Sequence, residues 1–224
     1  CKNLFKFKRF RLISIKETAN LGVKFAILQS TGFFVYNIAN LIISNNINPE
    51  SVRTYYSTYQ YFNLFNVFVT LLCNAYWPMI SNAYHQNDYT WLKKTMKYML
   101  IFCPACIFLL SLQSLLAPAA IKLWLAGTIS IPVDLIVIML LFSAMNVWNN
   151  LTAVILNATN DLKGQITTSI MAMIISAPAM IVYIDMGYGI SGAALGIMTA
   201  IFPFFLYGSY KFIFYYRQFS RYTR

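Results

Sequence analysis

Charge is scarce in this chain and negative charge scarcer still. Only 10% of its 224 residues are charged, six are Asp or Glu, and there is a single histidine. An average soluble domain is about a quarter charged. Too few ionic side chains remain to coat a water-soluble globule of this size, which excludes a typical cytosolic enzyme. No carboxylate lies deep in a hydrophobic run: Asp134 and Asp185 stand near the ends of runs, and Asp88, Asp161 and Glu50 in connections. A proton relay or a metal site therefore has little to build on, and no metal and no cofactor is expected. Asp134, the most embedded of these acids, reads as a helix N-terminal acid sooner than as a ligand or proton contact. His85, in a loop after Trp77-Pro78, is no catalytic constellation by itself. Four cysteines in a long apolar chain make no disulfide framework. Cys103 and Cys106 have CxxC spacing but lack a βαβ context, so small packing residues are expected there and not redox chemistry.

What is present is apolar. Hydrophobic residues make up 59% of the chain, and the mean hydropathy is +0.59. A membrane-crossing helix needs about 20 mostly apolar residues, and the runs at 21–44, 55–84, 95–116, 133–158, 165–184 and 190–210 qualify. Runs such as LIVIMLLF (135–142) do not alternate, which excludes a transmembrane barrel. The expected fold class is all-α, a polytopic membrane protein with six transmembrane helices.

The basic residues orient it. Of the 17 Lys and Arg residues, all but Arg53 and Lys122 fall before the first run or at its start, in the second-to-third and fourth-to-fifth connections, or in the C-terminal tail. That asymmetry is the positive-inside pattern for six spans with both ends of the segment cytoplasmic. It divides the chain into a basic cytoplasmic or interfacial segment (1–20), a six-helix lobe (21–212) and a basic cytoplasmic tail (213–224). The tract at 2–16 reads as a linker or as an interfacial helix on anionic lipid; no nucleic acid is expected as a partner. Cys1 in place of Met leads us to expect a fragment or a processed product.

Polar side chains inside lipid-embedded helices usually face the bundle interior. Ser30, Asn37, Asn40 and Ser44 share one face of the first helix. Gln60, Asn63, Thr70, Asn74 and Trp77 form a stripe on the second, with Asn66 at its edge. Asn146, Asn149, Asn150 and Asn157 do the same on the fourth. Singly such residues read as interhelical glue; together they suggest a common polar cavity. Amides offer both donors and acceptors, which suits a neutral, hydroxyl-rich ligand. The candidate contacts are Asn37, Asn40, Gln60, Asn63, Asn74, Asn146 and Asn150. Lys24, one turn inside the first run, reads as a residue snorkelling to the interface or as an anion contact. Pro78, Pro104, Pro178 and Pro203 should kink their helices, and Gly192 and Gly196 form a face for close helix packing.

The segments GVKFAILQSTGFFVYNIANLIIS (22–44), VRTYYSTYQYFNLFNVF (52–68) and WPMISNAYHQNDYTWLKK (77–94), followed by LNATNDLKGQ (156–165) and GYGISGAALG (187–196), carry a likeness in their order along the chain. It resembles the second half of polysaccharide exporters, the O-antigen flippase (Wzx-type) group of the multidrug/oligosaccharidyl-lipid/polysaccharide superfamily. The resemblance implies one lobe of a two-lobe, MATE-like flippase of the bacterial inner membrane. Such a carrier turns a lipid-linked oligosaccharide, held on polyprenyl pyrophosphate, between leaflets by alternating access. The implied partners are that substrate, membrane lipids, other polysaccharide-assembly proteins and the missing N-terminal lobe of the same protein. Lys24 and Arg53 are the nearest candidates for pyrophosphate contact. Many members carry an acid where this chain has Ala39, so an ion-coupling role for that acid does not transfer. The chain reads as a carrier and not an enzyme. The rival readings are a drug or cation exporter of the same superfamily, a membrane polymerase or glycosyltransferase, and a scaffold subunit.

Overall fold

A computed structural model describes residues 12–125 and 130–222. The described chain is helical almost throughout: α1 (Leu12–Asn46), α2 (Pro49–His85), α3 (Tyr89–Trp124), α4 (Val133–Ala158), α5 (Lys163–Tyr183) and α6 (Gly189–Tyr222). Five stretches are long and apolar enough to cross a membrane: Gly22–Asn46, Pro49–His85, Tyr89–Trp124, Val133–Ala158 and the 60-residue Lys163–Tyr222. The expected run at 190–210 lies within the last of these, in α6. Large apolar side chains such as Phe33, Leu64, Phe68, Leu115 and Ile174 point outward, the arrangement a bilayer solvent favours.

The last stretch is two helices. A single π-type turn, Ile184–Tyr188, joins α5 to α6, and the chain reverses where Gly187 (φ 91°) and Gly189 (φ 51°) take conformations that a Cβ disfavours. The helices then pack antiparallel, since Gly192 meets Tyr183, Gly196 meets Met180 and Gly164 meets Tyr207. A Cβ on Gly196 would lie 2.5–2.6 Å from Met180, so only glycine permits this approach. Ala193 and Ala200 complete a dry seam with no exposure.

Helix ends follow local chemistry. Asn48 caps α2 by accepting from Ser51 N–H at 2.7 Å, with Pro49 and Glu50 in the first turn. The turns after α2 and α4 are the same device. Asn87 (φ 58°) and Asn160 (φ 57°) adopt the left-handed conformation. The following amides, of Asp88 and Asp161, each donate 2.9 Å back to Ala83 and Leu156 carbonyls, closing Schellman motifs.

Helix α1 begins nine residues before the expected run, and α6 continues twelve beyond it. Hydropathy marks where lipid would end, whereas helices stop at breakers, and neither 12–21 nor 211–222 contains Pro or Gly. Of the expected basic segment, 1–11 lies outside the described residues, as do 223–224 of the tail. Pro78, Pro104, Pro118, Pro178 and Pro203 all sit inside helices. Helix α4 is the most enclosed: 50% of its membrane-length window is buried, against 22% for α2 and α3. It packs against α2, α3 and α6, and the polar residues on its α2-facing side build the site.

Candidate functional site

A cavity of about 270 Å³ opens between α1, α2 and α4. Helix α2 contributes Tyr59, Asn63, Asn66 and Thr70, whose spacings of four, three and four place them on one face. Helix α4 contributes Phe142, Asn146 and Asn150 at successive turns, and α1 contributes Tyr36. Val67 and Leu71 close the edge, and among the described residues no charged side chain lines the walls.

One part of the lining is aromatic. The Tyr36 ring lies 5.8 Å from Tyr59 and 6.0 Å from Phe142, and Tyr59 lies 6.4 Å from Phe142. Tyr55 stacks behind Tyr59 at 6.4 Å with an interplanar angle of 7°, and only 1% of it is exposed. The other part is amide. Tyr36 O–H donates to Asn146 Oδ1 at 3.3 Å, a long bond that a ligand hydroxyl can compete for. Thr70 donates to its own helix at the Asn66 carbonyl, leaving its hydroxyl lone pairs for other donors. Asn66 Oδ1 is buried with no partner. A buried acceptor without a donor costs about 1–3 kcal/mol, and a ligand or water hydroxyl would relieve that cost.

Three of the seven amides expected to share a cavity, Asn63, Asn146 and Asn150, line this one. The other four do not. Asn37 is exposed and donates to the Phe33 carbonyl at 2.7 Å, satisfied by its own helix. Asn40 is half-buried, one turn beyond Tyr36, with an unpartnered Oδ1. Gln60 donates to the Tyr56 hydroxyl at 2.6 Å, a third of a turn off the cavity face. Asn74 lies one turn past Thr70 and is exposed. Asn66, read from sequence as the edge of its stripe, is a member of the cavity lining. The helical stripe fixed angle but not depth, and the cavity is only about three turns long.

Lys24 is half-buried and Arg53 exposed, and neither lines the cavity. On α4, Asn149 and Asn157 keep buried, unpartnered Oδ1 atoms away from it. Sequence reasoning missed the aromatic members Tyr36, Tyr59 and Phe142. The signals for them were the tyrosine crowding at 55–61 and the four-residue spacing of Phe142, Asn146 and Asn150. Cys73, Cys103 and Cys106 are buried free thiols, and among the described residues no three His, Cys, Asp or Glu side chains gather to hold a metal.

Below the cavity a different group links helices. Lys211 Nζ on α6 meets Asp161 Oδ2 at 2.6 Å, and Tyr215 O–H donates to the same oxygen at 3.1 Å. On the α2–α3 side, Tyr61 O–H donates to the Gln113 carbonyl and Gln113 Nε2 donates back to the Tyr61 carbonyl, at 2.9 and 2.7 Å. Comparison with protein-family models, curated proteins and solved structures finds no match to this chain.

Proposed function

We propose that this chain is one six-helix lobe of a carrier that moves a lipid-linked oligosaccharide across a bacterial inner membrane by alternating access. The observation that carries the reading is the amide-and-tyrosine cavity enclosed by otherwise apolar helices. Asn63, Asn66, Asn146 and Asn150 offer donors and acceptors to hydroxyls approaching from several directions. The rings of Tyr36, Tyr59 and Phe142 offer flat apolar faces to the C–H side of a sugar ring. Walls without charge suit a neutral group better than a drug cation or a coupling ion, which favours the sugar carrier over the exporter of cations.

The cavity volume, about 270 Å³, lies just below the roughly 300–1,000 Å³ of small-molecule sites. It has room for about one sugar ring, and the rest of the glycan would meet a second lobe. The α5–α6 hairpin supplies the sixth crossing, so both ends of the segment share the basic, cytoplasmic side. The polyprenyl chain stays in lipid while the headgroup enters, and rocking of the two lobes exposes it alternately. Lys24 and Arg53 are this lobe's candidates for the pyrophosphate, the remaining contacts falling to the N-terminal lobe.

The test replaces Asn63→Leu and Asn146→Leu together in the complete carrier. With two hydrogen-bonding groups removed at about 1 kcal/mol each, surface polysaccharide should fall about tenfold or more at equal membrane levels of protein. Normal polysaccharide in that double variant would remove the cavity from the mechanism. Absence of flux of lipid-linked sugar in proteoliposomes holding the complete wild-type carrier would remove the transport reading itself.

A further inference from the structure

A second hollow, unrelated to the amide cavity, lies between α2, α3 and α4. Its volume is about 260 Å³, and none of its lining residues lines the amide cavity. Its floor is Cys73, Thr95, Met99 and Leu151, all buried. Its rim is Tyr76 and Tyr98, with 46% and 58% of their surfaces exposed. Neighbouring Leu71, Met79 and Ile101 are exposed as well, so the groove opens on a broad apolar face of the bundle. Its depth along the helices is informative. Thr95 to Met99 lie within the first three turns of α3, next to the end where Lys93, Lys94 and Lys97 cluster. Lys94 Nζ sits 5.9 Å from the centre of the Tyr98 ring, at the rim, and among the described residues no acid pairs with it.

We propose that one acyl chain of an anionic phospholipid, from the leaflet at the lysine-bearing end, occupies this groove with its phosphate against Lys94. An apolar trough ending at a cation without an acid partner among the described residues matches the two halves of such a lipid. The trough holds hydrocarbon by van der Waals packing, since a lipid tail gains no hydrophobic drive on leaving other lipid, and the lysine selects the charge of the head. Tyr76 and Tyr98, each with an apolar body and a polar tip, sit where chain gives way to headgroup. The inference rests on the bilayer-facing character of this surface and not on the transport reading.

Native mass spectrometry of the 224-residue chain, released from nanodiscs of equal phosphatidylglycerol and phosphatidylcholine, tests it. The wild-type chain should retain one phosphatidylglycerol in about fivefold preference, the worth of one lysine near an anionic surface. Lys94→Gln should bring the two lipids to parity, whereas Lys122→Gln, at the opposite end of α3, should leave the preference unchanged. Leu72→Trp, which fills the groove from a half-exposed position, should lose the retained lipid with Lys94 intact. Undiminished preference in Lys94→Gln, or undiminished retention in Leu72→Trp, overturns the proposal. So does displacement of the phospholipid by a polyprenyl phosphate added at the same fraction, which would give the groove to a prenyl chain instead.

Discussion

The turns after α2 and α4 are built alike and used differently. Each places an asparagine in the left-handed region, follows it with an aspartate, and ties that aspartate's amide to a carbonyl five residues back. In the first, Asp88 spends its carboxylate locally, accepting from Trp91 N–H at 3.0 Å as the N-cap of α3. In the second, Asp161 spends it across the fold on Lys211 and Tyr215 of α6. Helix α5 then starts without a side-chain cap. Backbone geometry dictates the bend in both turns; the tertiary surroundings decide what the acid does. The α4–α5 turn is consequently anchored to α6, the partner of α5 in the glycine seam. The carboxylate of the α2–α3 turn stays local, and that turn meets α6 through rings instead, Tyr89 stacking 5.6 Å from Phe219 and 4.7 Å from Tyr222.

The largest effect that can break this contrast is Asp161→Ala. It leaves Lys211 Nζ, its side chain 23% exposed, and the Tyr215 hydroxyl without their acceptor. Hydrogen bonds to charged groups contribute about 1.5–3 kcal/mol, and partial exposure places the expected loss near 2 kcal/mol. Thermal unfolding in micelles reads it. Adding Lys211→Met to the same chain should recover part of the loss, because removing both partners leaves no stranded charge. Asp88→Ala should cost about 1 kcal/mol, the usual worth of an N-cap. The conservative changes sharpen the comparison further. Asp88→Asn should be nearly silent, since asparagine caps as well as aspartate does. Asp161→Asn should retain little of the ion pair. Equal effects from the two asparagine variants would mean that Asp161 is no tertiary tie.

These pairings also mark what the residues disclosed before any coordinates. The Asp88 cap depends only on neighbours in sequence, yet the sequence alone places Asp88 no more closely than in a connection. The Lys211–Asp161 pair spans 50 positions and has no local signature. The same division holds at the candidate site. Runs of apolar residues and the asparagine stripes on α2 and α4 announced an all-helical chain with polar faces. Periodicity gives the direction of a side chain around its helix. It does not say how far along the neighbouring helix its level lies, so Asn37 and Asn74 shared the expected stripes yet lie off the cavity. Tyr36 and Tyr59 escaped notice because an aromatic residue in a hydrophobic run is expected in any core. Only the approach of α1 to α2 and α4 made them walls of a polar space. The close packing of α6 was foreshadowed by Gly192 and Gly196, although the reversal at Gly187 and Gly189 and the lengths of α1 and α6 were not, since no breaker stands where the hydrophobicity of α1 and α6 ends.

The smallest expected effect tests whether the two turns are interchangeable at the backbone. Glycine is the commonest residue at this left-handed position, and it relieves the Cβ strain that asparagine carries there. It also adds freedom to the unfolded chain. The two terms nearly cancel, so Asn160→Gly, at an exposed position, should shift stability by no more than about 0.5 kcal/mol. Asn87→Gly starts from the same backbone but gives up one more contact, because Tyr89 O–H donates to Asn87 Oδ1 at 2.7 Å. An exposed hydrogen bond falls at the low end of the usual range, about 0.5 kcal/mol, so Asn87→Gly should fall below Asn160→Gly by about that amount. Identical shifts would show that the Tyr89 bond contributes nothing and that the turns differ only in the fate of their aspartates. A larger deficit for Asn160→Gly would reverse the ranking and place part of the α6 anchor in the asparagine itself, ahead of the carboxylate.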